Sequence, residues 1–165
     1  EEKHRYFGRI KFKAAPTKNN PERVVISNNW QKNITMVEIP QLHGIEGTAK
    51  RKKFSFHKKI AGKVVELFQA WEDAGLIHLL QTYAGSWVPR YVRGSRTYLS
   101  SHAWGTAFDI NAGWNMRGKQ PALVGQRGSV RELVPIAMGL GWWWGGHWKK
   151  RDGMHFEWAD VLKLE

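Results

Sequence analysis

Cysteine is absent from the 165 residues. That excludes disulfide staples, thiolate metal sites and a cysteine nucleophile, and it leaves the redox compartment open. No apolar run approaches the roughly 18 residues that a bilayer-spanning helix needs. The opening stretch EEKHRYFGRI is charged and has no apolar h-region, so no secretory signal is visible. It begins on Glu1 rather than Met, which suits a processed product or a piece of a longer polypeptide. The H-E-x-x-H pattern of helical zinc proteases does not occur. Acidic residues are scarce too: 14 Asp and Glu face 26 Lys and Arg, a formal charge of +12. Such a chain is drawn to polyanions, either nucleic acid or the anionic polymers of a bacterial envelope.

Hydrophobic residues make up 42% of the chain, enough to build a core, and the length suits one folded unit. Residues 1–23 read as a basic N-terminal arm whose Pro- and Asn-rich part, AAPTKNNPER, is irregular. The main folded domain is expected over 24–165. RVVISNNW and NITMVEIPQL read as β-rich, and EGTAKRKKFSF as a solvated basic connector. The spacing of Ile60, Val64, Leu67, Phe68 and Trp71 predicts a helix over 56–76 with Gly75 as its stop. HLLQTYAGSWVP and TAFDI predict strands, and RYVRGSRTYLS and AGWNMRGKQPALVGQRG predict loops. Ser129 and Glu132 form a capping-box pattern for a helix running to about Leu140, with Pro135 disturbing its first turns. HFEWADVL predicts a final strand. Helices and strands do not alternate regularly. This favours an α+β fold with a small, mostly antiparallel sheet flanked by helices.

Seven histidines occur, and most have the ordinary reading of a satisfied surface or core residue. His102 and His155 differ because each has a carboxylate at a telling distance. In SSHAWGTAFDIN, His102 precedes Asp109, and Gly105 between them allows a tight turn. In RDGMHFEW, Asp152 precedes His155 and Glu157 follows it. A catalytic zinc site takes about three protein ligands and keeps one position open. His102, Asp109 and His155 supply suitable donors. Asp152, three residues before His155 across a turn, suits a general base. Glu157 shares a strand face with His155 and suits a partner that orients it. The same residues also permit a buried His–Asp pair and an ordinary turn.

The pattern S-x-H-x-x-G-x-A-x-D, Ser100 to Asp109, followed by Asp152-x-x-His155, resembles the zinc D-alanyl-D-alanine carboxypeptidase family. That family includes phage L-alanyl-D-glutamate endolysins and D-Ala-D-Ala dipeptidases. The resemblance extends over roughly 24–160 and takes in VPRYVRGS and WGGHW. It implies one zinc ion on His102, Asp109 and His155, with Asp152 as catalytic base. Many members carry Glu at that position. It matches Arg90 to the arginine that binds the substrate carbonyl or carboxylate, with Arg93 as the fallback. It implies the fold shared with lysostaphin-type peptidases and the hedgehog signalling domain. It also implies a monomeric peptidase acting on peptidoglycan stem peptides at the bacterial wall, in the periplasm or outside the cell. L-Ala-D-Glu endopeptidase action and wall lysis are favoured over D,D-carboxypeptidase trimming of terminal D-Ala.

Ten tryptophans are many for this length, and most are expected in the core. Trp104 and Trp148, beside the ligands, are the candidates to line the groove, with Ser100 and His147 as further lining residues. KRKKFSFHKK at 50–59 reads as a solvated face, or as an envelope-attracting patch. Two readings of other classes stand beside the peptidase. One is a basic nucleic-acid binder or metal nuclease, in which RYVRGSRTY tracks phosphates. The other is a zinc-bearing module without catalysis, against which Asp152 and Arg90 argue.

Overall fold

A computed structural model describes residues 2–159. It is an α+β structure built on three antiparallel sheets. Helix α1 (Glu2–Phe7) leads into strand β1 (Phe12–Ala14), which pairs with β2 (Val24–Ile26). The stretch between β1 and β2 is irregular, as its Pro and Asn content predicts. Phe7 and Ile10 are buried in the same core as the rest of the molecule. The boundary expected at residue 24 falls at the start of β2, which pairs with β1 across it.

β3 (Ile34–Glu38) pairs with β4 (Lys53–His57) along its whole length, from Ile34 opposite His57 to Glu38 opposite Lys53. This corrects two expectations. The basic connector becomes a strand from Lys53 onward, because Phe54 and Phe56 alternate with Lys53 and Ser55 and bury themselves at 2% and 0% exposure. The run of cations before it hides that short period-two signal. The helix starts later than predicted for the same reason: residues 56–57 complete β4, and α2 spans Ala61–Asp73. Its predicted stripe holds, since Ile60, Val64, Leu67, Phe68 and Trp71 are all fully buried. Gly75, at φ +73°, ends it as expected.

The third sheet has the order β5 (Tyr83–Gly85), β6 (Ala107–Ile110), β8 (His155–Trp158), β7 (Trp142–Trp144), with every neighbour antiparallel. The strand predicted over 78–89 is confined to β5. The Ser129–Glu132 box forms as a side-chain bond, Ser129 Oγ donating to Glu132 Oε1 at 2.7 Å. A short 3-10 turn over Arg131–Leu133 precedes α3 (Val134–Gly139), with Pro135 in its first turn, where a missing N–H costs nothing. Residues 160–162 of the predicted final strand lie outside the described residues.

The pleat decides what each face of β6 and β8 carries. Phe108 and Phe156 stand opposite each other and stack with ring centroids 5.6 Å apart. They pack under Phe68, Trp71 and Trp142. Each such side chain contributes about 1.5–3 kcal/mol through burial. The intervening residues, Asp109, His155 and Glu157, belong to the opposite face.

His57, 1% exposed, joins the N-terminal segment to β4. Its Nε2 lies 3.0 Å from the Phe7 carbonyl, and its Nδ1 accepts from the Lys59 backbone N–H at 3.1 Å. The neutral ring satisfies both contacts. Burial, aided by Lys59 and Lys58, lowers its pKa to about 4 against the pull of the Phe7 carbonyl. A depressed histidine gives stability that is complete above the ordinary value near 6.5 and is lost as pH falls towards 4. In urea titrations with chelator present, the wild-type chain should therefore lose on the order of 2 kcal/mol more between pH 7 and 4.5 than His57→Gln does. Equal losses would show that His57 does not drive this acid sensitivity.

Candidate metal centre

His102 lies in a 3-10 turn over Ser101–Trp104. Ser100 caps the turn, its Oγ accepting from the His102 backbone N–H at 3.2 Å. Gly105 ends it in the left-handed region at φ +67°. A Cβ there would come within 2.8 Å of the His57 backbone nitrogen, so glycine meets both the conformational and the packing demand. The chain then enters β6, where Asp109 pairs directly with His155 of β8. One ladder thus fixes two of the three predicted ligands, and the turn before β6 brings the third.

Three donor atoms converge. His102 Nε2 is 3.2 Å from Asp109 Oδ2, His155 Nδ1 is 3.4 Å from Asp109 Oδ1, and the two imidazole nitrogens are 3.2 Å apart. The far side of each ring is engaged. His102 Nδ1 lies 2.6 Å from the Ser86 carbonyl, and His155 Nε2 lies 2.9 Å from Glu157 Oε1. Those acceptors hold the ring protons, so both facing nitrogens present lone pairs. Asp109 Oδ1 is buried and accepts no hydrogen bond. Two imidazole nitrogens and one carboxylate oxygen, all within 4.8 Å of one another, fit a divalent ion of borderline softness.

The local field favours positive charge. Burial pushes the Asp109 carboxyl up, but His102 and His155 outweigh it and hold it well below the usual carboxylate range. Burial alone would lower His155, yet the neighbouring carboxylates of Asp109 and Glu157 raise it to about 9. Glu157 is likewise opposed by burial but held at about 2 by His155 and Lys3. Carboxylates that stabilise an imidazolium stabilise a metal cation in the same place.

Beside the triad opens a cleft of roughly 190 Å³. Asp152, Arg90, Arg93, Ser100, Trp148, His155 and Glu157 all line it. Asp152 donates its backbone N–H to the Gly145 carbonyl at 2.9 Å, and its own carbonyl accepts from His155 N at 3.1 Å. Gly145 is required there, because a Cβ would lie 2.4 Å from the Asp152 carbonyl oxygen. Burial raises the Asp152 carboxyl pKa. Arg90 donates to the Tyr91 carbonyl at 3.1 Å, and burial lowers its pKa. Arg93 is paired with Glu22 at 2.9 Å. Trp148, 37% exposed, sits 5.1 Å from the His155 ring.

Two groove candidates are placed elsewhere. Trp104 is buried against the N-terminal segment, its Nε1 donating to the Gly8 carbonyl at 3.3 Å. His147 is exposed and packs on Trp144, outside the cleft lining. Lys3, Ser101 and Arg117 line the cleft without having been singled out in the sequence. Ser101 stands in the motif beside Ser100, so position alone was a signal. Lys3 and Arg117 come from the arm and the Gly-rich loop, which carry no pattern pointing to a site.

A His-Asp-His cluster that could hold a metal ion thus lies beside a cleft carrying a carboxylate, an arrangement that suits metal-assisted hydrolysis. Residues 93–158 match the family model described as D-alanyl-D-alanine carboxypeptidase. The matched segment holds His102, Asp109, Asp152 and His155 and is similar to that family. No curated protein and no solved structure matches the chain.

The purified chain should bind one zinc ion, and His102→Ala should abolish that binding. Chelation should lower the wild-type melting temperature by about 5–10 °C, since saturating ligand adds about 3 kcal/mol to stability. Unchanged melting and no bound metal at neutral pH would refute the metal centre.

Proposed function

We propose that this chain is a monomeric zinc peptidase that hydrolyses peptidoglycan stem peptides, acting on the bacterial wall. The observation that carries this reading is the cleft that Asp152, Arg90 and His155 line together, with His155 joined to His102 and Asp109 in one three-donor cluster. His102, Asp109 and His155 would hold the zinc ion, which would supply Lewis acidity and make a nearby water more acidic. Asp152 accepts a proton from the attacking water and returns it to the leaving amine. Its raised pKa brings it nearer the working range of such a shuttle. Arg90 holds the carbonyl or carboxylate oxygen of the substrate, and charge stabilisation of that kind is worth about 3–4 kcal/mol per donor. Trp148 offers an apolar wall beside His155.

We favour endopeptidase action at L-Ala-D-Glu over release of terminal D-Ala. Arg90 and Arg117 line the cleft alongside Lys3 and Arg93, whose charges are already met by Glu157 and Glu22. A terminal D-Ala carboxylate needs one cationic partner, whereas a stem peptide continuing past D-Glu brings further carboxylates. The cations at 50–53 are exposed on the body of the protein and suit attraction to anionic envelope polymers.

Mass spectrometry of peptidoglycan digested with the chain should reveal new N-termini on D-Glu, lost with chelator and regained with zinc. Free D-Ala alone would move the activity to carboxypeptidase, and no product from any wall type would overturn the peptidase reading. Asp152→Asn should keep zinc and lose about 100-fold or more in turnover; loss of the metal with activity would instead make Asp152 a ligand. Lysis of intact walls should fall between low and 0.5 M salt, while cleavage of a short soluble peptide should not, because screening weakens long-range attraction only.

A further inference from the structure

We infer that Lys3 is a positioning residue of the metal centre, delivered by the N-terminal helix and acting through Glu157 on His155. This rests on the metal-centre reading. Lys3 lies far outside the family segment at 93–158. Its Nζ is nevertheless 3.3 Å from Glu157 Oε2, across 154 positions of sequence. The other oxygen, Oε1, faces His155 Nε2 at 2.9 Å and accepts from Ser101 Oγ at 3.1 Å. Each oxygen of a buried carboxylate therefore has its own partner. The Lys3 contact distinguishes them and keeps Oε1 turned to the imidazole, which keeps Nδ1 turned to the metal.

This contact is more than a surface ion pair. Exposed pairs contribute little because water solvates both partners. Here the Glu157 side chain is 11% exposed and the Lys3 side chain 32%. Removing the cation leaves a buried carboxylate without its counter-charge, and that is costly. Helix α1 is also held in place. Trp30 Nε1 donates to the Phe7 carbonyl at 2.8 Å, Trp104 Nε1 reaches the Gly8 carbonyl, and the His4 ring packs edge-on against Trp104 at 5.1 Å. The burial of Trp104 thus has a purpose at the site: it anchors the segment that carries Lys3.

The test is zinc affinity of the full chain, measured by competition with a chromogenic chelator. The proteins are wild type, Lys3→Met, Lys3→Arg, Glu157→Gln and the Lys3→Met/Glu157→Gln double variant. Lys3→Met should bind zinc about 10-fold more weakly and change the visible spectrum of the cobalt-substituted protein. Lys3→Arg should restore affinity to within about twofold of wild type. In the Glu157→Gln background, Lys3→Met should cause no further loss, because the route runs through that carboxylate. A wild-type affinity in Lys3→Met, or an equal loss in both backgrounds, would overturn the inference while leaving the metal centre standing. No zinc bound by wild type would overturn both.

Discussion

Two imidazole nitrogens and a carboxylate converge on one point, and a positive charge there makes the arrangement favourable. The rest of the site follows from holding His102 Nε2, His155 Nδ1 and the Asp109 carboxylate at that point. The Ser86 carbonyl and Glu157 lie against the outer ring nitrogens, which keeps the inner nitrogens turned to Asp109. The cost of the arrangement is met by an aromatic core on the other side of the same two strands. Phe108 and Phe156 alternate with the ligands, so packing that stabilises the sheet also fixes the distance between the donors.

Rigidity and access are divided between elements. The ligands stand on strands and a capped turn, where hydrogen bonds and packing leave little freedom. The cleft wall comes from the segment after β5 and from the long loop after β6. Arg117 Nη1 ties these together by donating to the Arg93 carbonyl at 2.8 Å. The three-donor cluster is thereby kept on strands and a capped turn, and much of the cleft wall on loops.

The cluster of His102, Asp109 and His155 was legible in the sequence because metal ligation restricts residue type and the turn before β6 restricts spacing: Gly105 has to be glycine. The buried stripe of α2 was legible because helical periodicity survives over thirteen residues. β4 was not, because two phenylalanines make too short a period to show against flanking lysines. Trp104 and Trp148 looked equivalent in sequence, each beside a ligand. They part company in space because one belongs to a turn facing the interior and the other follows the Gly145–His147 turn at an exposed position. Lys3 lay beyond reach for a different reason. Nothing local marks a partner 154 positions away, and only the closed fold brings the two together.

The ladder that sets Asp109 opposite His155 also sets a time. His102 and His155 are 53 positions apart, and β8 is the last strand of its sheet in chain order although it lies inside the sheet. During synthesis, a chain that has not yet reached β8 offers only His102 and Asp109, two donors without a third. A ribosome-bound fragment therefore lacks the three-donor cluster. The cluster is completed in one step, when β8 inserts between β6 and β7.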